Sequence, residues 1–472
     1  MLGLPEDDSP KLLAFLPLGV SDDEGEPTGR LLSSWERLPE TTTWVYHLRT
    51  DVRWHDGARF TARDVLFTLR LKEEVGWQSP GRSDAELVDD STFSVTYHRM
   101  PYGGLLHLND WEVYYPQHLL ERMDTKQFGE WDYWLRPVGN GPYRFVRRVR
   151  GTLIELEANP DYCCGELSIQ RIILRLGTPS LPVLLSGEVD AMPIDLLGAL
   201  KLMEDDRFRV HYSVNGGDRL SLVWNLRNPT FADRRVRRAL IVAIERPELH
   251  RVLNLRPDLP ISDVVFTREQ YVRGEIGAAL PYDPGWASRL LAEAGWVDAD
   301  GDGIRERGQE RLGFTAIVGP ESRSAAVFVQ QQLRRVGVEM RIEPRQTGSL
   351  IQSVHEGEFD AALYAVHTEL RGQRGLVSLF GAASGLGYQD PRVLEILGAL
   401  EQAILPAEID SLYRELQPIF AAETPVAYLA PRVGAWAVSR RVRGLEGMQR
   451  PDPFLYVARL WLEEEPPVRP AE

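Results

Sequence analysis

The sequence predicts an α/β fold divided into two lobes, and three observations carry that prediction. Its 472 residues exceed what a single hydrophobic core usually serves. Strand-like and helix-like segments alternate along the chain, the pattern of mixed α/β lobes. No low-complexity tract, internal repeat or long charge run interrupts them.

The elements follow in chain order. Trp44 to Arg49 alternates as a strand does, and Asp56-Gly57 reads as a turn. Thr61 to Asp64 has the form of a capping box, with Val65 and Leu69 as the apolar face of the helix it opens. Asp233 starts a second helix on the stripe Val236, Leu240 and Ala243. Arg234, Arg235, Arg237 and Arg238 are expected to spread round its solvated side. A third helix has Asp283 as N-cap, Pro284 as its first residue and Gly295 as its stop. Its residues Ala287, Leu290, Leu291 and Ala294 face a core. A fourth runs from Ala325 to Val336, ends at Gly337 and feeds a strand from Val338 to Ile342.

Composition narrows the function classes. The chain is 43% hydrophobic and 26% charged, ordinary for a globular protein. A formal charge of −15 argues against a nucleic-acid binder, which needs a basic face. No stretch approaches the run of about 20 apolar residues that crosses a bilayer; Leu12 to Val20 is short and broken by Pro17. Met1 is followed by Glu6, Asp7 and Asp8 rather than a basic and then apolar signal. Taken literally that gives a cytoplasmic address, and it is equally consistent with a true start upstream. Cys163 and Cys164 are adjacent, lack the spacing of a zinc site, and are read as packing residues.

Five blocks, in order, carry a resemblance. The first runs from Trp44 to Arg49, through Trp54-His55-Asp56-Gly57, to Thr61-Ala62-Arg63-Asp64-Val65. The second is Pro137-Val138-Gly139-Asn140-Gly141-Pro142-Tyr143, followed by Asn159-Pro160-Asp161-Tyr162. Leu185 to Asp190 is the third, and Asn225 through Phe231 to Leu240 the fourth. The fifth joins Tyr282-Asp283-Pro284 and Leu290 to Trp296 with Gln330 to Val338 and Gly357-Glu358-Phe359-Asp360. Together they resemble the bacterial extracellular solute-binding proteins of family 5, the peptide- and nickel-binding class of ABC importers.

That resemblance implies a periplasmic-binding-protein-like fold of type II, with two lobes, two hinge crossovers and a ligand captured by hinge closure. The first lobe is expected over 1–225 plus 428–472, with an inserted subdomain at about 41–136; the second spans 226–427. The implied partners are a small peptide or peptide-like solute and an ABC transporter permease. The expectation is a monomer in the periplasm or cell envelope, with no nucleic acid, cofactor, bound metal or catalysis.

Peptide-binding members carry a Gly-Trp pair and a following Asp shortly after their Phe-Asp dipeptide. The Asp holds the ligand's α-ammonium. Here Val366 falls in the Trp slot and Glu369 in the Asp slot, and Arg371-Gly372-Gln373-Arg374 replaces the family's next motif. Glu369 is therefore a ligand candidate, as are its neighbours His367 and Tyr364. Strand alternation turns Tyr364 and Val366 one way and Glu369 the other. Tyr428, at the second crossover, can stack a ligand and donate its hydroxyl. Trp224 and Asn225, at the first, complete the candidates.

Asp298-Ala299-Asp300-Gly301-Asp302-Gly303 begins like an EF-hand loop, yet its twelfth position is Gln309 rather than Glu. It is read as an Asp/Gly-rich turn, with Glu306 at the ninth position. His47, His55 and Asp56 are read as fold residues, and no hydrolase or phosphate-loop motif occurs. A solute-sensing receptor on the same lobes is the competing function, and a hydrolase with an unrecognised site is a third.

Overall fold

The computed structural model describes residues 13–21, 27–76, 83–98, 106, 112–149, 151–177, 180–194, 196–255, 259, 261–265, 279–367, 376, 379–381, 384–445 and 457–463. The chain divides into two compact units, Met1–Ser213 with Gly434–Glu472, and Val214–Val433.

Unit 1 carries a four-stranded antiparallel sheet of β1 (Leu32–Arg37), β2 (Thr43–Leu48), β3 (Ser83–Asp89) and β4 (Thr92–Tyr97), in the order β1-β2-β4-β3. Tyr46 and Phe93 pair across β2 and β4 and stack with ring centroids 5.1 Å apart. Helix α1 (Ala62–Glu74) starts at Thr61. Asp64 reaches back as the sequence predicts, its Oδ2 accepting from the Thr61 N–H at 2.8 Å. Its Oδ1 accepts from the Gln117 N–H at 2.9 Å, so one buried carboxylate ties the helix start to a distant segment. Burial raises the Asp64 pKa, and these hydrogen bonds oppose the rise.

The blocks at His55 and at Gly139 to Gly141 meet in unit 1. The Gly139 N–H donates to His55 Nδ1 at 3.1 Å, and His55 Nε2 lies 3.1 Å from the Gly141 carbonyl. That pattern suits a neutral imidazole protonated at Nε2. Burial accordingly lowers the His55 pKa to about 4. Asn140 Oδ1 accepts from the Leu16 N–H, and the Gly141 N–H donates to the Ala14 carbonyl at 2.8 Å. A side chain at Gly141 would stand 2.6 Å from the Ala14 carbonyl carbon, so glycine is required there by space.

Further along unit 1, β5 (Tyr143–Val149), β6 (Leu153–Ala158) and β7 (Arg171–Arg175) form an antiparallel meander. Cys163 and Cys164 follow β6, both half-buried, with Sγ atoms 2.8 Å apart. Strand β8 (Ala191–Ile194) pairs with the unit 1 end of a later strand, Ala191 opposite Val438 and Ile194 opposite Ala435.

The boundaries between the units fall inside two strands, β9 (Phe208–Trp224) and the later strand just mentioned, Val426–Ser439. The sequence reading put them at 225 and 428. Unit 2 holds α2 (Arg234–Val242), α3 (Arg246–Val252), α4 (Pro284–Glu293), β10 (Gly313–Val318), α5 (Arg323–Arg334), β11 (Glu339–Pro344), α6 (Thr347–Glu356), β12 (Ala361–His367), α7 (Pro391–Gln402), α8 (Pro406–Glu423) and the start of β13 (Val426–Ser439). Strands β10 and β11 run parallel, as do β10 and β12, because α5 and α6 return the chain to the same end each time. Strand β12 then pairs antiparallel with β9, and β13 lies on the other side of β9.

Helix starts in unit 2 follow their caps. Asp233 accepts from the Arg235 N–H at 2.9 Å, and Asp283 from the Trp286 N–H at 2.7 Å. One expectation fails on α2: Arg237 is buried, whereas the four arginines were expected on the solvated side. Its guanidinium donates to the carbonyls of Phe231 at 2.7 Å and Glu423 at 2.6 Å. Those carbonyls supply the polar partners that burial of a cation demands.

Candidate functional site

The register of β9 on β12 sorts the candidate residues between two faces of the sheet. Directly opposed residues of an antiparallel pair share a face, and successive residues alternate. Trp224 opposes Ala361, and Leu222 opposes Leu363, on the face that joins the main hydrophobic cluster of unit 2. Arg219 opposes Val366, and Ser221 opposes Tyr364, on the other face. In β13, Ala427 and Leu429 belong to that hydrophobic cluster, so Tyr428 between them takes the face of Arg219 and Tyr364.

A charged cluster is built on this second face. The guanidinium carbon of Arg219 stands 3.7 Å from the centroid of the Tyr428 ring, and its Nη1 donates to the Val264 carbonyl at 2.8 Å. Arg246 pairs with Asp263 and donates to the carbonyls of Tyr428 at 3.2 Å and Leu280 at 2.6 Å. Asp263 also accepts from the Leu280 N–H. All four side chains, Arg219, Arg246, Asp263 and Tyr428, are buried. Burial lowers the Arg219 pKa and raises that of Tyr428, while Arg219 pulls the tyrosine back down. The Tyr428 hydroxyl finds no hydrogen-bond partner among the described residues. Such a cluster holds a ring and a cation in fixed register on the sheet.

The six expected residues fall in different settings. Tyr364 is half-buried on the face of the cluster, with burial raising its pKa to about 12. Tyr428 lies within the cluster itself. Trp224 is fully buried on the opposite face and stacks on Phe231, with centroids 5.3 Å apart. Asn225 is engaged by its own unit: its Nδ2 donates to the carbonyls of Gly357 and Phe359, and its Oδ1 accepts from the Arg227 N–H. His367 is placed by its backbone opposite Asp218. Glu369 lies outside the described residues. Sequence reasoning missed Arg219, Arg246 and Asp263. The available signal was a charged residue, Arg219, opening the mostly apolar stretch Leu220 to Trp224.

With this geometry in view, comparison with known proteins defines a class: the chain has the α/β fold of solved two-lobed solute-binding proteins. One is the oligopeptide-binding protein AppA of Bacillus subtilis, solved with a nonapeptide. It has a TM-score of 0.69 and 19% identity, over 97% of this chain and 94% of that one. Another is NikA from Brucella suis, solved with Fe(III)-EDTA. Its TM-score is 0.81 at 20% identity, over 97% of this chain and 96% of that one. The chain belongs to the bacterial extracellular solute-binding proteins, family 5, whose "family 5 Middle" description matches residues 26–385. Among curated relatives, AppA of Bacillus subtilis is 24% identical over 358 residues, 70% of this chain and 63% of the relative. The matched segment thus spans less than two thirds of that relative's length.

No helix among the described residues is long and apolar enough to cross a membrane.

Proposed function

We propose that the chain is the substrate-binding component of an ABC importer, capturing a peptide or peptide-like small solute and delivering it to a permease. The family match over residues 26–385 carries this reading. The name of the oligopeptide-binding relative supports a peptide as ligand. The fold alone does not select one, since it holds a nonapeptide in one solved protein and Fe(III)-EDTA in another. The departure at Val366 and Arg371 to Arg374 removes the family's Trp and the motif after its Asp, while Glu369 keeps a carboxylate in the α-ammonium slot.

Within this reading Tyr364 and Tyr428 are ligand-facing residues of one sheet face, and His367 and Glu369, next in sequence, are further ligand contacts. Trp224 and Asn225 support it from the core and from the β9 turn. The protein acts as a monomer at the cell envelope, with no catalytic step.

Mass spectrometry of protein isolated from its native host tests the reading. Recovery of an intact peptide or peptide-like solute is the expected result. A ligand of another class overturns the specificity, and recovery of cleaved fragments overturns the absence of catalysis. Glu369→Ala should weaken the recovered ligand at least tenfold, and unchanged affinity removes Glu369 from the site.

A further inference from the structure

Asp298, Asp300, Asp302 and Glu306 each offer a carboxylate oxygen, and these four atoms lie within 4.8 Å of one another. They sit on the turn that follows α4. Asp298 Oδ1 accepts from the Gly301 N–H at 2.8 Å and its Oδ2 from the Gly303 N–H at 3.1 Å. Asp300 accepts from the Asp302 N–H, and Asp302 from the Ile304 N–H. These bonds shape the turn and say nothing of a ligand.

Glu306 adds a different kind of observation. Paired hydrogen bonds to Val297 pin its backbone at the base of the turn. Its side chain is the most enclosed of the four, with the oxygen Oε1 buried, where the three aspartates are exposed. Oε2 accepts from the Ala299 N–H at 3.1 Å, whereas Oε1 has no hydrogen-bond partner. A buried, unpartnered carboxylate oxygen held among three further carboxylates is unfavourable unless a cation joins them. Arg311 is paired with Asp302 there, its Nη2 standing 2.7 Å from Oδ2.

We propose that this turn is a calcium site, with Asp298, Asp300, Asp302 and Glu306 as side-chain ligands. Ile304 falls where loops of this spacing use a backbone carbonyl, and water completes the shell. The missing glutamate at the twelfth position is replaced by Glu306 at the ninth, so the plain-turn reading of the sequence gives way to a ligand set. All-oxygen donors select a hard cation over zinc, and a many-carboxylate turn suits calcium better than the rigid, water-rich shell of magnesium.

The test uses the full chain stripped with a chelator. Calcium should raise its melting temperature by about 3 °C or more, and magnesium at the same ionic strength should do much less. Terbium should give emission sensitised by Trp296, whose carbonyl accepts from Arg305 beside the turn, and calcium should displace it. Glu306→Gln should weaken both effects at least tenfold. Asp300→Asn, which keeps an acceptor for the Asp302 N–H, should do the same and decides the matter if the first variant misfolds. Absence of a calcium shift and of displaceable terbium emission in the unaltered chain overturns the proposal, as does unchanged affinity in both variants.

Discussion

The Arg219 guanidinium and the Tyr428 ring are locked together at 3.7 Å, so the ring is a partner for a buried cation before it is anything for a ligand. The hydroxyl is separable from that role. Tyr428→Phe should leave the urea midpoint nearly unchanged, because the ring remains and an unpartnered hydroxyl goes. Tyr428→Leu should cost about 2 kcal/mol, the scale of a desolvated cation–π contact. If the Phe variant folds as well as the parent yet binds ligand more weakly, the hydroxyl faces the ligand. Equal destabilisation by both variants defeats this division of roles.

Asp263 holds the second arginine of the cluster. Asp263→Ala leaves the Arg246 charge buried without its carboxylate, a change that typically costs about 3–5 kcal/mol. A chemical-denaturation midpoint close to the parent's would show that the backbone carbonyls of Tyr428 and Leu280 suffice for Arg246.

Legibility in the sequence followed distance along the chain. Asp233 and Asp283 were readable as caps because a cap engages residues two or three positions on. The family blocks implied the fold by resemblance. The faces of β9 were not readable: Leu222, Val223 and Trp224 are all buried, so no polar alternation marks which way Trp224 turns. Nor was the Arg246–Asp263 pair, whose members stand apart in sequence, or the reach of Arg246 to the Tyr428 carbonyl.

His55 makes stability pH-dependent in a definite direction. Its folded pKa, about 4, lies below the ordinary 6.5, so the unfolded chain binds the proton more readily. The contribution is fully present above pH 6.5, is lost as pH falls toward 4, and changes no further below that. Its size is on the order of 3 kcal/mol. His55→Gln should flatten the unfolding free energy across that window, and an unchanged slope would sink the assignment.

Gly141 tests the same junction by space. Gly141→Ala places a methyl 2.6 Å from the Ala14 carbonyl carbon and 2.7 Å from the Phe15 nitrogen, both backbone atoms. Overpacking against backbone should cost about 3 kcal/mol. A melting temperature within a degree of the parent's would mean that the segment at Ala14 yields freely.

The two thiols are expected to share their protons unequally. The hydrogen bond from Cys163, with Arg49 and Arg30 nearby, lowers the Cys164 pKa to about 6 and drives that of Cys163 upward. Iodoacetamide at pH 7 should therefore label Cys164 faster than a free thiol. Cys163→Ala, which removes the donor, should slow that labelling, and a rate that ignores the substitution refutes the coupling.

The placement of unit 2 within the chain bears on the order of synthesis. Residues 214–433 are contiguous, whereas unit 1 needs Gly434 onward to supply the partner of β8. A ribosome therefore releases every part of the second unit before β8 of the first can pair. The nascent chain can finish that middle stretch first, leaving the strand edge of Ala191–Ile194 waiting for Ala435 to Val438 to emerge.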